Sequence, residues 1–452
     1  MKSLRVEPAL RLEGEITLLG DKSIAHRSII LSAISKGKTV IRNFPTNKDC
    51  IYTVKAFRKL GIRITQKFKT QAARCPAITV FGKGLYGLKK PKSPVFVGDS
   101  ATTLRLILGV LAGRAFRVKL ITGRSLLQRP MRRVTIPLIS MGVEIKARHK
   151  NQGLKAEDYP PVTISGGNLK PITYRMPVAS AQVKSAILLA GLYVKGNTKV
   201  IEQIKTRDHT ERMLKLFKAD IKLVENTIVI KGNKELASPK RIYIPGDVSS
   251  ASFFIVLATI LPKAKILIKN LGLNPSRTGI IKVLKRMGAK IRVSSTEHRA
   301  SSIEPMGDLI VRSSSLKGTV IRKNEVPSLI DELPILMVAA SQAKAKTIFE
   351  GVGELRVKET DRIRSMSENL KKMGAIVKVL KDGNSEKVVI EGVKKLKGCR
   401  LQSFGDHRTA MSMVVAGLAA EGKTLIDDVS CINKSFPDFL SQLEALMIYP
   451  PR

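Results

Sequence analysis

The sequence has no tryptophan, and aromatic side chains make up only 4% of its 452 residues. It therefore lacks the stacking platforms on which single-stranded nucleic acids are usually held. Acidic residues are also scarce, 36 against 80 lysines and arginines, which leaves a formal charge of +44. Such an excess raises a polyanion as a partner. The basic residues are spread along the chain, however, and not gathered into an arm, so a basic surface without a dedicated nucleic-acid partner is expected. The five histidines and four cysteines (Cys50, Cys75, Cys399 and Cys431) are scattered. No pair has metal-ligand spacing and the cysteines do not suit a disulfide framework, so reduced thiols and no protein-built metal site are expected. No apolar run reaches the roughly eighteen residues of a membrane span. Met1-Lys2-Ser3 leads straight into a strand-like pattern, and a cytoplasmic protein with no membrane partner is expected.

What is present is ample apolar material, 43% of the chain, in a length that exceeds one ordinary core and points to two domains. One pattern recurs: a helix end, a small residue, then a short alternating strand. It is found at Lys59–Ile64, Leu138–Ile145, Leu214–Ile221, Leu284–Ile291 and Leu370–Val377, with a degenerate sixth copy at Leu443–Ile448. The glycine after such a helix suits a left-handed C-cap. Six copies imply a repeated α/β (α+β) module. Three precede Tyr243-Ile244-Pro245-Gly246-Asp247 and three follow it. Domains are accordingly expected at 21–243 and at 244–452 joined by 1–20, with a hinge at the two crossovers and the ligand site between the halves.

The chemistry is concentrated at expected helix starts. Gly20-Asp21-Lys22-Ser23-Ile24-Ala25-His26-Arg27 follows a strand pattern and opens an apolar segment that Gly37 closes. Ser23 reads as the N-cap, with Lys22 just ahead and Arg27 one turn on, an arrangement that suits a phosphate. Asp99–Arg105, Ala179–Ser185 and Asp247–Ala251 repeat the logic. Any one of them alone would suit an ordinary capped helix; together they suggest an anion trap. Glu354–Arg362 is the densest charged cluster, and a helix there would put Lys358, Glu359 and Arg362 on one face. Asp331 and Glu332 lie in an otherwise apolar stretch, while Arg408 and Lys434 supply further cations. Burial would raise such a carboxylate's pKa unless a cation offset it.

These segments together resemble the EPSP synthase family, the 3-phosphoshikimate 1-carboxyvinyltransferases. Gly-Asp-Lys-Ser-Ile-x-His-Arg and Arg-Val-Lys-Glu-x-Asp-Arg are the most specific motifs, and the matching positions run from Gly20 to Pro437. The resemblance implies a two-domain inside-out α/β barrel with three βαβαββ repeats per domain and an active site in the interdomain cleft. It also implies a monomer that needs no cofactor, with two small-molecule substrates. In the implied reaction the 5-hydroxyl of shikimate 3-phosphate attacks phosphoenolpyruvate and phosphate then leaves, a step of aromatic amino acid and chorismate biosynthesis.

Carried over position by position, the resemblance assigns Lys22, Ser23, Arg27, Ser180, Ala181, Gln182, Arg207, Asp331 and Lys358 to shikimate 3-phosphate. It assigns Lys22, Ala101, Arg129, Gln182, Arg362, Arg408 and Lys434 to phosphoenolpyruvate, whose carboxylate and phosphate suit guanidinium forks. Lys22, Asp331, Glu359 and Lys434 are the candidate catalytic groups, Asp331 as base near the 5-hydroxyl, and the choice among Asp331, Glu359 and Lys358 stays open. Three stretches depart from the family. Where it usually reads Gly-Asn-x-Gly-Thr, this chain has Gly98-Asp99-Ser100-Ala101-Thr102. Asp99 is expected to repel the donor phosphate, and Ala101 resembles the alanine of glyphosate-insensitive members. Gly123 and Phe404-Gly405 replace acidic or polar residues beside Arg129 and Asp406. The rival readings are the sister UDP-N-acetylglucosamine enolpyruvyl transferase, a basic nucleic-acid-binding protein and a decayed homologue. The first uses a loop cysteine that is missing near Arg129. The joint presence of Lys22, Arg129, Asp331, Glu359, Arg408 and Lys434 argues against the last.

Overall fold

A computed structural model describes residues 3–67, 76–152, 155–297, 304–382 and 385–448; Cys75 lies outside them. The chain divides into two compact units, one of Leu19–Pro245 with Arg299–Glu304, the other of Met1–Leu18, Gly246–His298 and Pro305–Arg452. Each has its own apolar core.

Within the unit Leu19–Pro245 one sheet plan occurs three times. A short strand lies parallel to a central one, which pairs antiparallel with a third, itself antiparallel to a fourth. The second sheet has the order Val95–Phe96, Arg117–Ile121, Lys155–Ser165, Glu144–Gln152. The third runs Thr173–Arg175, Asn197–Ile201, Thr227–Lys231, Asp220–Val224. In the first, Ser35–Arg42 is central, and its parallel neighbours Leu236–Ala237 and Arg241–Tyr243 come from the far end of the unit. Such a return strand completes the first copy with chain that follows the third.

The other unit uses the same plan. Arg11–Thr17 lies parallel to Lys265–Gly272, which pairs with Met306–Arg312 and through it with Lys290–Glu297. Val320–Ile321, Lys346–Glu350, Ser385–Glu391 and Ile376–Asp382 form the second sheet. The sixth copy is degenerate, as its sequence suggests. Thr424–Ile426 takes its antiparallel partner from Leu4–Val6, and Met447–Ile448 pairs instead with Arg11–Leu12.

Two helices accompany each copy, one of them central and buried on nearly every side. In the unit Leu19–Pro245 the central three are Lys22–Ala33, Ala101–Ala112 and Ala181–Gly191. In the other they are Val248–Ile260, Leu333–Ser341 and His407–Leu418. Helices enclosed all round form the centre of each unit, and many of their polar side chains meet near the N-terminal turns. The outer helices, such as Lys48–Lys59 and Gly279–Arg286, bury one face only. Several end on a left-handed glycine: Gly61, Gly142, Gly288 and Gly374 all have positive φ. The third copy has no glycine there, and Lys218 takes φ 63° instead.

Candidate functional site

In the unit Leu19–Pro245 the N-terminal turns of the central helices are joined by hydrogen bonds. Asp21, not Ser23, is the first cap, its carboxylate accepting the Ile24 N–H at 2.9 Å. The helix therefore starts two residues earlier than the hydroxyl suggested, with Lys22 and Ser23 inside its first turn. Gly37 likewise lies within the strand Ser35–Arg42 and does not cap a helix. Lys22 forms an ion pair with Asp49 in the first turn of Lys48–Lys59. Ser100 caps the second central helix and Ser180 the third. The Gln182 side chain donates to Thr102 Oγ1 at 2.9 Å and accepts from Arg105 Nη1 at 2.6 Å. Arg105 also donates to the Pro130 carbonyl at 2.8 Å, so one guanidinium ties Gln182 to the residue after Arg129. Ala101 is buried at the start of its helix, and Ala181 and Arg207 are half-buried.

Arg27 differs from its expected role in accessibility. It is only 4% exposed and donates to Thr210 Oγ1 at 2.6 Å, Ser185 Oγ at 2.7 Å and the Ser23 carbonyl at 2.9 Å. Burial lowers its pKa to about 10, against the opposing field of Glu211, which leaves it charged at neutral pH. It anchors three elements beneath the helix starts. His26 beside it is fully buried, and burial together with Lys22 lowers it to about 3.

Asp99 and Gly123, which depart from the family pattern separately, are neighbours in space. The Asp99 carboxylate accepts the Leu126 N–H at 3.1 Å, at the start of the short 3₁₀ turn Leu126–Gln128 that precedes Arg129. A Cβ placed on Gly123 would stand 2.6 Å from Asp99 Oδ1, so the glycine makes room for the carboxylate. Asp99 thus carries a backbone bond on the loop that bears Arg129.

In the other unit the helix starts gather carboxylates. The Arg362 side chain is 1% exposed, with Nε donating to Asp406 Oδ2 at 2.9 Å, Nη2 to Glu359 Oε2 at 2.7 Å, and Nη1 3.7 Å from Asp331 Oδ1. Burial alone would lower its pKa, but Asp406, Glu359 and Asp331 outweigh this and raise it. Asp406 in turn stays below the usual carboxylate range, because Arg362 and His407 offset its burial. Its other oxygen caps His407–Leu418 through the Arg408 and Thr409 N–H groups. Burial lowers His407 to about 4, although Asp406 and Glu359 pull the other way.

The expected helix through Lys358 is not there. Gly353–Val357 is a 3₁₀ turn and the α-helix begins at Arg362, capped by Asp361. The Glu359–Arg362 pair forms all the same, but Lys358 stands before the helix, 3.8 Å from Glu354. Asp331 and Glu332 also part company: Asp331 is half-buried, and Glu332 is fully enclosed. Glu332 accepts from Ser249 Oγ and lies 3.6 Å from Arg277, which itself donates to Ser249 Oγ at 2.6 Å. Arg408 and Lys434 are half-buried, Lys434 at the end of the 3₁₀ turn Ser430–Lys434.

Asp49 and Arg277 were not singled out from the sequence, and Arg105 was quoted without a role. Nothing in their spacing ties them to Lys22, Glu332 or Gln182; only the packing of separate copies does. Among the described residues no group of histidine, cysteine and acidic side chains could hold a metal ion, and no helix is long and apolar enough to cross a membrane. Cys50 is buried, and burial raises its thiol well above the ordinary range.

Known structures give the class first. The enolpyruvyl transferase NikO from Streptomyces tendae superposes with a TM-score of 0.74 over 99% of both chains at 16% identity, a likeness of fold alone. An EPSP synthase from Acinetobacter baumannii reaches a TM-score of 0.84 at 38% identity, again over 99% of both chains. A family model of EPSP synthase (3-phosphoshikimate 1-carboxyvinyltransferase) matches residues 6–443. The 3-phosphoshikimate 1-carboxyvinyltransferase of Desulforamulus reducens is 44% identical over 98% of this chain and 99% of its own length. That of Bacillus cytotoxicus is 43% identical over 99% of this chain and all of its own. The chain belongs to the EPSP synthase family.

Proposed function

We infer that this protein transfers the enolpyruvyl group of phosphoenolpyruvate to the 5-hydroxyl of shikimate 3-phosphate, releasing phosphate, in the shikimate pathway. The observation that carries the reading, beside family membership, is the pair Lys22–Asp49 and the network Arg105–Gln182–Thr102 at the starts of four helices. Helix N-termini and cations together attract doubly charged phosphate groups. Lys22, Ser23, Ser180, Ala181, Gln182 and Arg207 are assigned to shikimate 3-phosphate, with Arg27 fixing the turn beneath them and Asp331 and Lys358 from the other unit. Phosphoenolpyruvate is assigned Lys22, Ala101, Arg129, Gln182, Arg362, Arg408 and Lys434.

Addition of the hydroxyl oxygen to the enol ether carbon needs a base for the hydroxyl proton and an acid for the methylene; loss of phosphate and of a methyl proton then regenerates the double bond. Asp331 is assigned the first role, Glu359 and Lys434 the protonation of the methylene and of the leaving phosphate. Arg362, bonded to Glu359 and 3.7 Å from Asp331, brings the two carboxylates to one guanidinium. We also assign the protein to the cytoplasm as a monomer, with no nucleic-acid partner.

The test is phosphate release from purified protein, with each substrate omitted in turn. Release that needs both and is lost in Lys22→Ala supports the reading; release from phosphoenolpyruvate alone overturns it. Poor inhibition by glyphosate goes with Ala101, whose methyl group the longer inhibitor should meet before the substrate does. Potent inhibition that Ala101→Gly does not sharpen would remove that part.

A further inference from the structure

Between Glu202 at the end of one strand and the helix His209–Leu216, the chain runs Gln203-Ile204-Lys205-Thr206-Arg207-Asp208. The segment carries one apolar side chain, Ile204, and that is only half-buried, so hydrophobic packing does little to fix it. Yet Arg207 sits in it. What holds the segment is polar. The Thr206 N–H donates to Glu202 Oε1 at 3.0 Å, and the Thr206 hydroxyl donates to the same oxygen. The Glu202 N–H itself donates to the Asn226 carbonyl at 2.9 Å, which ties the turn to the sheet.

Behind this turn lies a lysine that the proposed reaction does not use. Lys184, two residues after Gln182 on the helix Ala181–Gly191, has a side chain that is 0% exposed. Its Nζ stands 3.0 Å from Glu202 Oε2 and 2.6 Å from Glu211 Oε1. Glu202 precedes the Arg207 segment and Glu211 follows it. One ammonium therefore clamps both ends of that segment to the helix that carries Ser180 and Gln182. Burial pushes the Glu211 carboxyl up, and Lys184 opposes that shift. The next residue, Ser185, bonds Thr210 at 2.6 Å and Arg27 at 2.7 Å, which joins the clamp to the first central helix.

We propose that Lys184 is a positioning residue: through Glu202 and Glu211 it fixes the 203–208 segment so that Arg207 meets the phosphate of shikimate 3-phosphate. The proposal rests on the assignment of Arg207 above. Lys184→Met leaves two buried carboxylates without their cation, which frees the turn. In the full chain this variant should raise KM for shikimate 3-phosphate about tenfold or more, since small misplacements of a binding group have effects of that order. KM for phosphoenolpyruvate and kcat should stay nearly unchanged, and amide hydrogen exchange at Thr206 should accelerate. Lys184→Arg, which keeps the charge, should restore KM.

Arg207→Ala separates the two claims. If it raises KM for shikimate 3-phosphate and Lys184→Met does not, the positioning role is overturned and the Arg207 assignment stands. If Arg207→Ala leaves KM unchanged, that assignment falls, and the substrate role of Lys184 with it. Should Lys184→Met not fold, Thr206→Val decides, because it removes one bond to Glu202 and leaves the ion cluster whole. It should raise the same KM about threefold, the effect of one hydrogen bond; an unchanged KM overturns the proposal.

Discussion

The two units share one topology, three copies each, and furnish the starts of their central helices differently. Around the starts of Lys22–Ala33, Ala101–Ala112 and Ala181–Gly191 stand Lys22, Arg105, Gln182 and the neutral caps Ser100 and Ser180. Around the starts of Val248–Ile260, Leu333–Ser341 and His407–Leu418 stand Asp247, Glu332 and Asp406, held by Arg277 and Arg362. A helix start favours negative charge. Carboxylates of the chain itself meet that preference in one unit, whereas two of three helix starts in the other are capped by neutral hydroxyls and remain suited to an incoming anion. Asp21 is the exception there, and Lys22 and Arg27 flank it. Topology decides where polar groups meet, and the choice of caps decides whether a helix start is left open to an anion or presents a carboxylate of the chain.

The contrast predicts different costs for removing one cation from each unit. Arg362→Met would leave Asp406, which is 0% exposed, with Glu359 and without their guanidinium. Breaking such a buried cluster should lower stability by about 3–5 kcal/mol, read from urea unfolding, and abolish turnover. Lys22 is more exposed, and its ammonium pairs with the carboxylate of Asp49. Lys22→Met should therefore lower stability by only about 1 kcal/mol while also abolishing turnover. Equal losses of stability in the two variants would break the comparison.

How much of this the sequence carries varies with range. The sixfold repeat was legible because a helix end followed by a left-handed glycine is local, as at Gly61, Gly142, Gly288 and Gly374. The cations at helix starts were legible for the same reason. Partnerships were not: Asp49 is far from Lys22 in the chain, Asp406 farther from Arg362, and Glu202 and Glu211 meet Lys184 only because neighbouring elements pack. Boundaries failed where two residues could do one job. Asp21 and Ser23 are both capable caps, and the carboxylate took the place. Lys358 and Arg362 have helical spacing, but Asp361 caps the helix after Lys358.

The next effect sets the two buried histidines against each other. Each unit holds one on a central helix, His26 at about 3 and His407 at about 4, both well below the ordinary 6.5. Burial is the main cause in both. Lys22 adds to it at His26, whereas Asp406 and Glu359 oppose it at His407. Both are neutral in the folded chain. The unfolded chain binds their protons from about pH 6.5 downward, so the stability is fully present above 6.5 and is lost as pH falls toward 4. At pH 5 the loss should be about 2 kcal/mol for each histidine. His407→Gln should remove about half of this dependence, as measured by urea midpoints between pH 7 and pH 5. A slope that neither His407→Gln nor His26→Gln changes would show that other groups govern the acid limb.

Within the Leu19–Pro245 unit, the Asp99–Gly123 pair sharpens the idea that this unit keeps its carboxylates from the expected anion. Gly123→Ala would bring a methyl group to 2.6 Å from Asp99 Oδ1, and the carboxylate must leave the Leu126 N–H. Overpacking of this kind costs about 1–3 kcal/mol. The displaced carboxylate should also raise KM for phosphoenolpyruvate, as Arg129 lies on the same loop. Adding Asp99→Ala to Gly123→Ala should recover most of the stability. If Gly123→Ala changes neither quantity, Asp99 is not held as described.

The smallest effect compares copies and not chemistry. Gly374 ends its helix at φ 92°, and a Cβ there would have nothing within 4 Å. Gly374→Ala thus isolates backbone strain and should cost about 1 kcal/mol, the usual penalty for a side chain in left-handed conformation. Lys218 holds the corresponding place in the third copy and already bears that penalty at φ 63°. Lys218→Gly relieves it but loosens the unfolded chain, which returns about half of the gain. A net stabilisation of about 0.5 kcal/mol is expected, visible as a small rise in Tm. If Lys218→Gly destabilises the protein, the Lys218 side chain must contribute contacts that outweigh its backbone, and the third copy would owe its helix end to packing, unlike the glycine-ended ones.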